Sequence, residues 1–208
     1  MRNLKATVSV LLMILLFSNC ASAQNKKGKG QTETSVLECI MTRTSVRSYL
    51  DKSVEEEKIE KLLRAGMAAP SAMNKQPWHF VVITEKSILE SLSQASPNAR
   101  AVANAPLAIV VCGDMTKALE GGGHDFWIQD TSAASENILL AAHALGLGAV
   151  WTGTYPSQER CEAVSRVLSL PDYLIPLNTI VIGYPNGTTL PKDKWNPDNI
   201  SYNKYNEK

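Results

Sequence analysis

The chain is poor in the residues that build metal centres and covalent frameworks, with three histidines and four cysteines in 208 residues. No CxxC pair occurs, and His79, His124 and His143 are scattered without metal-ligand spacing. A zinc site or a dense disulfide scaffold is therefore not expected. His79 falls in an extended stretch and His143 in a helical one, so both read as packing or surface residues. No GxGxxG follows a strand, no GxxxxGKS or GxxxxGKT occurs, and GxSxG is absent, which removes the common nucleotide-phosphate loops and the hydrolase elbow. A large charge of one sign is missing too: the formal net charge is +1. Loss of residues 1–23, which carry Arg2 and Lys5 and no acid, would turn +1 into −1. Such a chain has no global field to hold nucleic acid, and any anion site must be local.

Apolar runs long enough to span a membrane are also lacking. Residues 6–17 are mostly apolar, but a relaxed span needs about 20 such residues. Basic Arg2 and Lys5 precede the run, and Ala21-Ser22-Ala23 supplies small residues at −3 and −1 of a cleavage site. Residues 1–23 read as a cleaved export signal, with the mature chain starting at Gln24 in the bacterial periplasm. The alternatives are an uncleaved anchor, or a lipoprotein modified at Cys20, where Asn19 occupies the position that prefers a small residue. Residues 24–34 are polar and read as a flexible linker, leaving 35–208 as the domain. Cys39, Cys112 and Cys161 remain in it; oxidising surroundings permit one bridge, whose partners the sequence does not name.

From Ser35 onward helical and extended patterns alternate. Ser35 with Glu38 three residues on forms a helix start before Val36, Leu37, Ile40 and Met41. Ser53 ahead of Glu55, Glu56 and Glu57 marks a second start, continued by Ile59, Leu62, Leu63 and Met67 until Pro70. Residues 78–84 read as a strand, 87–94 as a helix, and the continuous apolar run after Pro106 as a strand buried on both faces. A small-residue helix over about 128–145 follows the Gly121–Gly123 loop, its alanines suited to close packing in a core or at an interface. Strands at 148–156 and 177–185 flank a helix at 157–168. Asn186-Gly187-Thr188 reads as a turn, and a polar, Pro-punctuated tail closes the chain. The pattern is α+β, with helices outnumbering about four strands.

Three further stretches carry chemistry. RTSVRSY (43–49) sets two arginines four apart around hydroxyl residues, an expensive arrangement unless an anion meets it. APSAMNKQPWHF (69–80) strings Ser71, Asn74 and Gln76 between a helix end and a strand, uncharged groups able to read heterocycle edges. GLGAVWTGTYP (146–156) places glycine and tryptophan where a flat ring can approach backbone, and LPKDKW (190–195) sets Lys192 and Lys194 on one side of an extended segment.

In this order and spacing the motifs resemble the FMN-dependent nitroreductase family, over residues 35 to about 194. The resemblance implies a nitroreductase-like α+β fold, with a central mixed or antiparallel sheet flanked by helices, in an intertwined homodimer. It implies that Arg43 and Ser45 hold the FMN phosphate and ribityl end, and that Arg47 lies near the pyrimidine edge. Ser71, Asn74 and Gln76 would reach FMN across the dimer interface, and Trp151, Thr152 and Gly153 would lie along the ring. Lys192 and Lys194 match a basic pair that closes on the phosphate; many members carry arginine second, and lysine lacks its bidentate fork. Asn98 and Arg100 are further candidates, in a loop that does not align securely. Hydride moving from NAD(P)H through flavin N5 to a nitroaromatic, quinone or similar flat acceptor requires no catalytic side chain, only positioning and electrostatics. An exported member lacks the cytoplasmic nicotinamide pool, so the alternatives are an FMN enzyme with another donor or chemistry, and a flavin-binding protein without turnover.

Overall fold

The apolar run after Pro106 becomes the structural axis of the domain. The structure is a computed structural model describing residues 35–205, so the readings of 1–23, 24–34 and Cys20 lie outside the described residues. Strand β2 (Leu107–Asp114) is buried along its whole length, because its two faces meet different helical layers. Leu107, Ile109 and Val111 enter one core cluster, while Ala108, Val110 and Cys112 enter the other.

Four strands form the sheet in the order β1-β2-β4-β3, with β1 at Trp78–Ile83, β3 at Gly148–Gly153 and β4 at Leu174–Gly183. Every strand pairing is antiparallel. Helices α2 (Glu56–Met67) and α4 (Phe126–Ala144) supply Leu62, Ile138, Leu139 and Ala142 to one face. Helices α3 (Lys86–Ala95) and α5 (Gln158–Leu168) supply Leu89, Leu92 and Val164 to the other. This gives three layers, helix–sheet–helix. Ala134 and Ala142 of α4 are fully buried, so the close packing that its small residues allow is used within the subunit.

A register shift between Val111 and Cys112 leaves Leu177 of β4 as an extra residue. Its carbonyl oxygen accepts from both Thr154 N and Tyr155 N at 3.0 Å, turning the chain out of the sheet beyond β3.

Helix α1 (Val36–Thr42) starts as its sequence implies, Ser35 Oγ accepting from Glu38 N at 3.2 Å. The start of α2 differs from the Ser53 reading, since Glu55 occupies the cap position and makes no side-chain cap bond. Its carboxylate instead accepts from the Tyr184 hydroxyl at 2.6 and 2.8 Å, a bond that holds it below the ordinary carboxylate range. Val54, buried just ahead of it, pins the chain so that the first turn begins two residues late.

The segment 43–50 belongs to no helix or strand, yet it is held along the open side of β3. Val46 N donates to Ala149 O at 3.0 Å, and Ser45 makes a parallel bridge to Ala149. Gly148 makes this approach possible: a Cβ there would lie 2.7 Å from Val46 side-chain atoms. Tyr49 then anchors the segment, its buried hydroxyl placed 2.6 Å from Val46 O and 3.1 Å from Val181 O. We expect Tyr49→Phe, which leaves those carbonyls short of a donor, to destabilise the domain by about 1–3 kcal/mol in urea denaturation. A loss within experimental error would show that the hydroxyl does not anchor the segment.

Candidate active site

Two segments nearly 150 residues apart in sequence form one groove of about 900 Å³. Arg43, Thr44, Ser45 and Arg47 line one wall, and Thr189, Lys192, Lys194 and Trp195 line the other. The tail reaches this position because Tyr49 bridges Pro185 and Asn186 N donates to Ser48 O at 2.9 Å. The tight turn at Gly187 has φ 99°, which suits glycine.

The cations of the groove differ in their partners. Arg43 is half-buried, its Nε 3.3 Å from Glu136 Oε1 on α4, a pairing that motif reading could not see. Arg47 is exposed and its guanidinium donates to Ser45 O at 3.5 Å. Glu55, a sequence neighbour able to neutralise it, is already engaged by Tyr184, Lys52 and Lys58. Lys192 and Lys194 are exposed beside Asp193, whose carboxylate accepts from Trp195 N at 2.9 Å. Four cations therefore stand against two carboxylates, a local surplus of positive charge suited to an anion such as a phosphate monoester. With the hydroxyls of Thr44 and Ser45 as further donors, the donor set fits the phosphate end of FMN.

Beyond Ser45 the edge of β3 continues outward. Backbone groups alternate sides along a strand, so Trp151 and Gly153 present theirs to the same outer edge where Ala149 meets Val46. The Trp151 side chain is half-buried against the core cluster under α4, and Thr152 is buried with its hydroxyl donating to Thr179 O at 2.7 Å. At Gly153 the space a Cβ would take is open, and its carbonyl oxygen accepts from Arg160 Nη1 at 3.4 Å. What this strand can offer a flat ring is backbone rather than the tryptophan face.

Ser71, Asn74 and Gln76 do not line this groove. They sit on a short turn, residues 71–76, held by Ala72 N donating to Asp130 Oδ1 at 2.9 Å and Gln76 N donating to Ser71 Oγ at 3.0 Å. Met73, Asn74 and Gln76 have φ of 49°, 54° and 51°, left-handed backbone that only Asn among them tolerates readily. Strain of this kind, about 1–3 kcal/mol per residue, persists where surrounding contacts impose it and clusters at functional sites. Asn74 and Gln76 line a second cavity of about 590 Å³ with Lys75, Trp78, His79 and Lys117. His79 thus belongs to a cavity wall, while His143 Nε2 lies 2.9 Å from Thr42 Oγ1 between α4 and α1. Arg100 is exposed in the turns at Pro97–Asn104; of Asn98 only the backbone is described.

Comparisons with known proteins agree with one another. The family model described as the nitroreductase family matches residues 40–100 and 93–184. A protein of Methanothermobacter thermautotrophicus, provisionally named NADH dehydrogenase/NAD(P)H nitroreductase, is 46% identical over 82% of this chain and 87% of its own length. A solved structure from Parabacteroides distasonis under the same provisional name has 47% identity and a TM-score of 0.78, covering 83% of this chain and all of that one. A provisionally named nitroreductase of Desulfovibrio desulfuricans, solved in complex with FMN, has 31% identity and a TM-score of 0.71 over 84% and 99% of the two chains.

Proposed function

The chain belongs to the nitroreductase family, and on that footing we propose that it is an exported, homodimeric FMN oxidoreductase using NAD(P)H to reduce a nitroaromatic, a quinone or a similar flat acceptor. The observation that carries this reading is the groove, where Arg43, Ser45, Arg47, Lys192 and Lys194 converge from two distant segments with a net positive charge suited to an anionic cofactor. FMN, when bound, supplies the redox chemistry by taking up hydride at N5 and passing it on. Arg43, Ser45 and the two lysines then hold the phosphate end, and the β3 edge with Gly153 receives the ring. The purified chain is expected to take up about one FMN per subunit, as a two-fold dimer with one site per protomer implies. A chain that stays colourless with excess FMN contradicts the proposal.

Arg47 has a separate duty. A fixed cation near the ring edge favours the more negative, reduced cofactor over the oxidised one. Arg47→Gln is expected to lower the midpoint potential of bound FMN by roughly 20–45 mV after solvent screening, with little change in FMN affinity. An unchanged potential in spectroelectrochemistry removes this role and leaves Arg47 a solvated surface charge.

A homodimer is supported by what a single subunit leaves open. Val36, Leu37 and Met41 of α1 are 73–75% exposed, and Trp195, Tyr202 and Tyr205 of the tail are 74–82% exposed, more apolar surface than a solitary domain carries without purpose. The turn bearing Ser71, Asn74 and Gln76 stands apart from its own groove, as expected if it serves the partner's.

Export rests on residues 1–23. The mature chain is expected to begin at Gln24, read by intact mass of material from the cell envelope; a lipid-modified Cys20 is the competing result. Because nicotinamide nucleotides are cytoplasmic, the same leader favours a second reading, in which an envelope reductant replaces NAD(P)H while FMN and the groove keep their roles.

A further inference from the structure

The structure places two cysteines together that the sequence could not pair. Cys112 of β2 is fully buried in the cluster that holds Val164 and Leu168 of α5 and Leu174 of β4. Cys161 of α5 points into the same layer, its Sγ donating to Pro176 O at 3.6 Å. Pro176 is the residue of β4 opposite Cys112 in the ladder, so both cysteines border one rung of the sheet. Both are thiols in the structure. Neither cysteine lines the groove.

We propose that Cys112 and Cys161 are joined by a disulfide in the mature protein, a covalent staple between β2 and α5. The proposal rests on the reading of residues 1–23 as an export leader, which delivers the chain to oxidising surroundings. The oxidant is a second disulfide, either oxidised glutathione or an exposed protein disulfide. Cys161, only half-buried, attacks one of its sulfurs, breaking that bond and releasing one thiol. Cys112 then attacks the Cys161 sulfur, breaks the mixed disulfide and expels the second thiol. One disulfide forms and one is reduced; two electrons pass from the protein dithiol to the oxidising disulfide, and two thiol protons leave with the two released thiols.

Burial pushes the Cys112 thiol up to about 12, with Cys161 contributing next, and burial also raises Cys161. Thiolate is therefore scarce in the folded chain, so exchange is slow there and a bridge made during folding is protected once formed. The staple would close a loop of about 50 residues that contains α4, β3 and the turn after Gly153.

The test refolds the full chain, with FMN present, in a buffer of oxidised and reduced glutathione, traps remaining thiols by alkylation and maps the peptides. A peptide pair joined through Cys112 and Cys161, with a melting temperature that falls by roughly 5–15 °C on adding dithiothreitol, is the expected result. Cys161→Ser should melt at the lower temperature and lose the response to dithiothreitol. Alkylation of both Cys112 and Cys161 after refolding, or a bridge through Cys39, overturns the proposal. The two readings fail differently: unpaired thiols after refolding sink the pairing whatever the compartment. A bridge made in the tube but missing from chain recovered from cells overturns the staple in the mature protein through the export reading, not through the geometry.

Discussion

Arg43→Ala is expected to raise the dissociation constant for FMN by roughly 10- to 150-fold, about 1.5–3 kcal/mol, the scale of a hydrogen bond to a charged group. Two effects add in this variant. The half-buried guanidinium is lost from the groove, and Glu136, its partner at 3.3 Å, is left facing an incoming anion without neutralisation. The second effect gives the prediction its specificity. Adding Glu136→Ala to Arg43→Ala should recover part of the affinity, because the repulsion goes while the missing donor stays missing. Equilibrium titration of the apoprotein by flavin fluorescence reads both variants. Equal losses in the single and double variants would mean that Glu136 does not face the bound anion, and no loss in either would remove Arg43 from the site.

Subunit complementation carries the other large expected effect. In the described chain, Arg43 lines one groove while Asn74 and Gln76 line a separate cavity. If each site takes the groove of one subunit and the turn of the other, Arg43→Ala and Asn74→Ala/Gln76→Ala homodimers are both weak binders. Heterodimers of the two then contain one site with both lesions and one with neither. Random exchange of equal amounts in a two-fold dimer should restore about one site in four to tight FMN binding. Heterodimers that form, as checked with differently tagged subunits, yet recover no tight sites would show that the turn serves its own subunit. Sedimentation of an FMN-loaded monomer at micromolar concentration would do so more bluntly.

Much of this was legible in the sequence where local chemistry decides the outcome. Ser35 with Glu38 predicts the start of α1 and the apolar run after Pro106 predicts β2, because capping and burial are written in consecutive residues. The Ser53 reading placed the start of α2 too early, since Glu55 is claimed by Tyr184, 129 residues away. The RTSVR motif raises an anion question and LPKDK sets two lysines on one side of an extended segment, and the fold lays both along one groove. The contact of Arg43 with Glu136 and the approach of Cys161 to Pro176 were invisible for the same reason: they join elements with no shared local signal. Trp151 shows the converse, a residue whose ring goes mainly to the core while the backbone of its strand remains available at the edge. The left-handed backbone at Met73 and Gln76 could not be read either, because neither residue type advertises it.

The central claim is that this chain holds FMN and passes electrons from a reduced nicotinamide through it, and anaerobic titration of the FMN-loaded protein tests it most directly. With NADH or NADPH added in stoichiometric steps, the flavin band is expected to bleach in proportion to added nucleotide. Its colour should return when a nitroaromatic or quinone is supplied. A yellow protein that neither nucleotide bleaches, but that dithionite does, contradicts the claim and leaves the groove serving another electron donor or a flavin that is only carried.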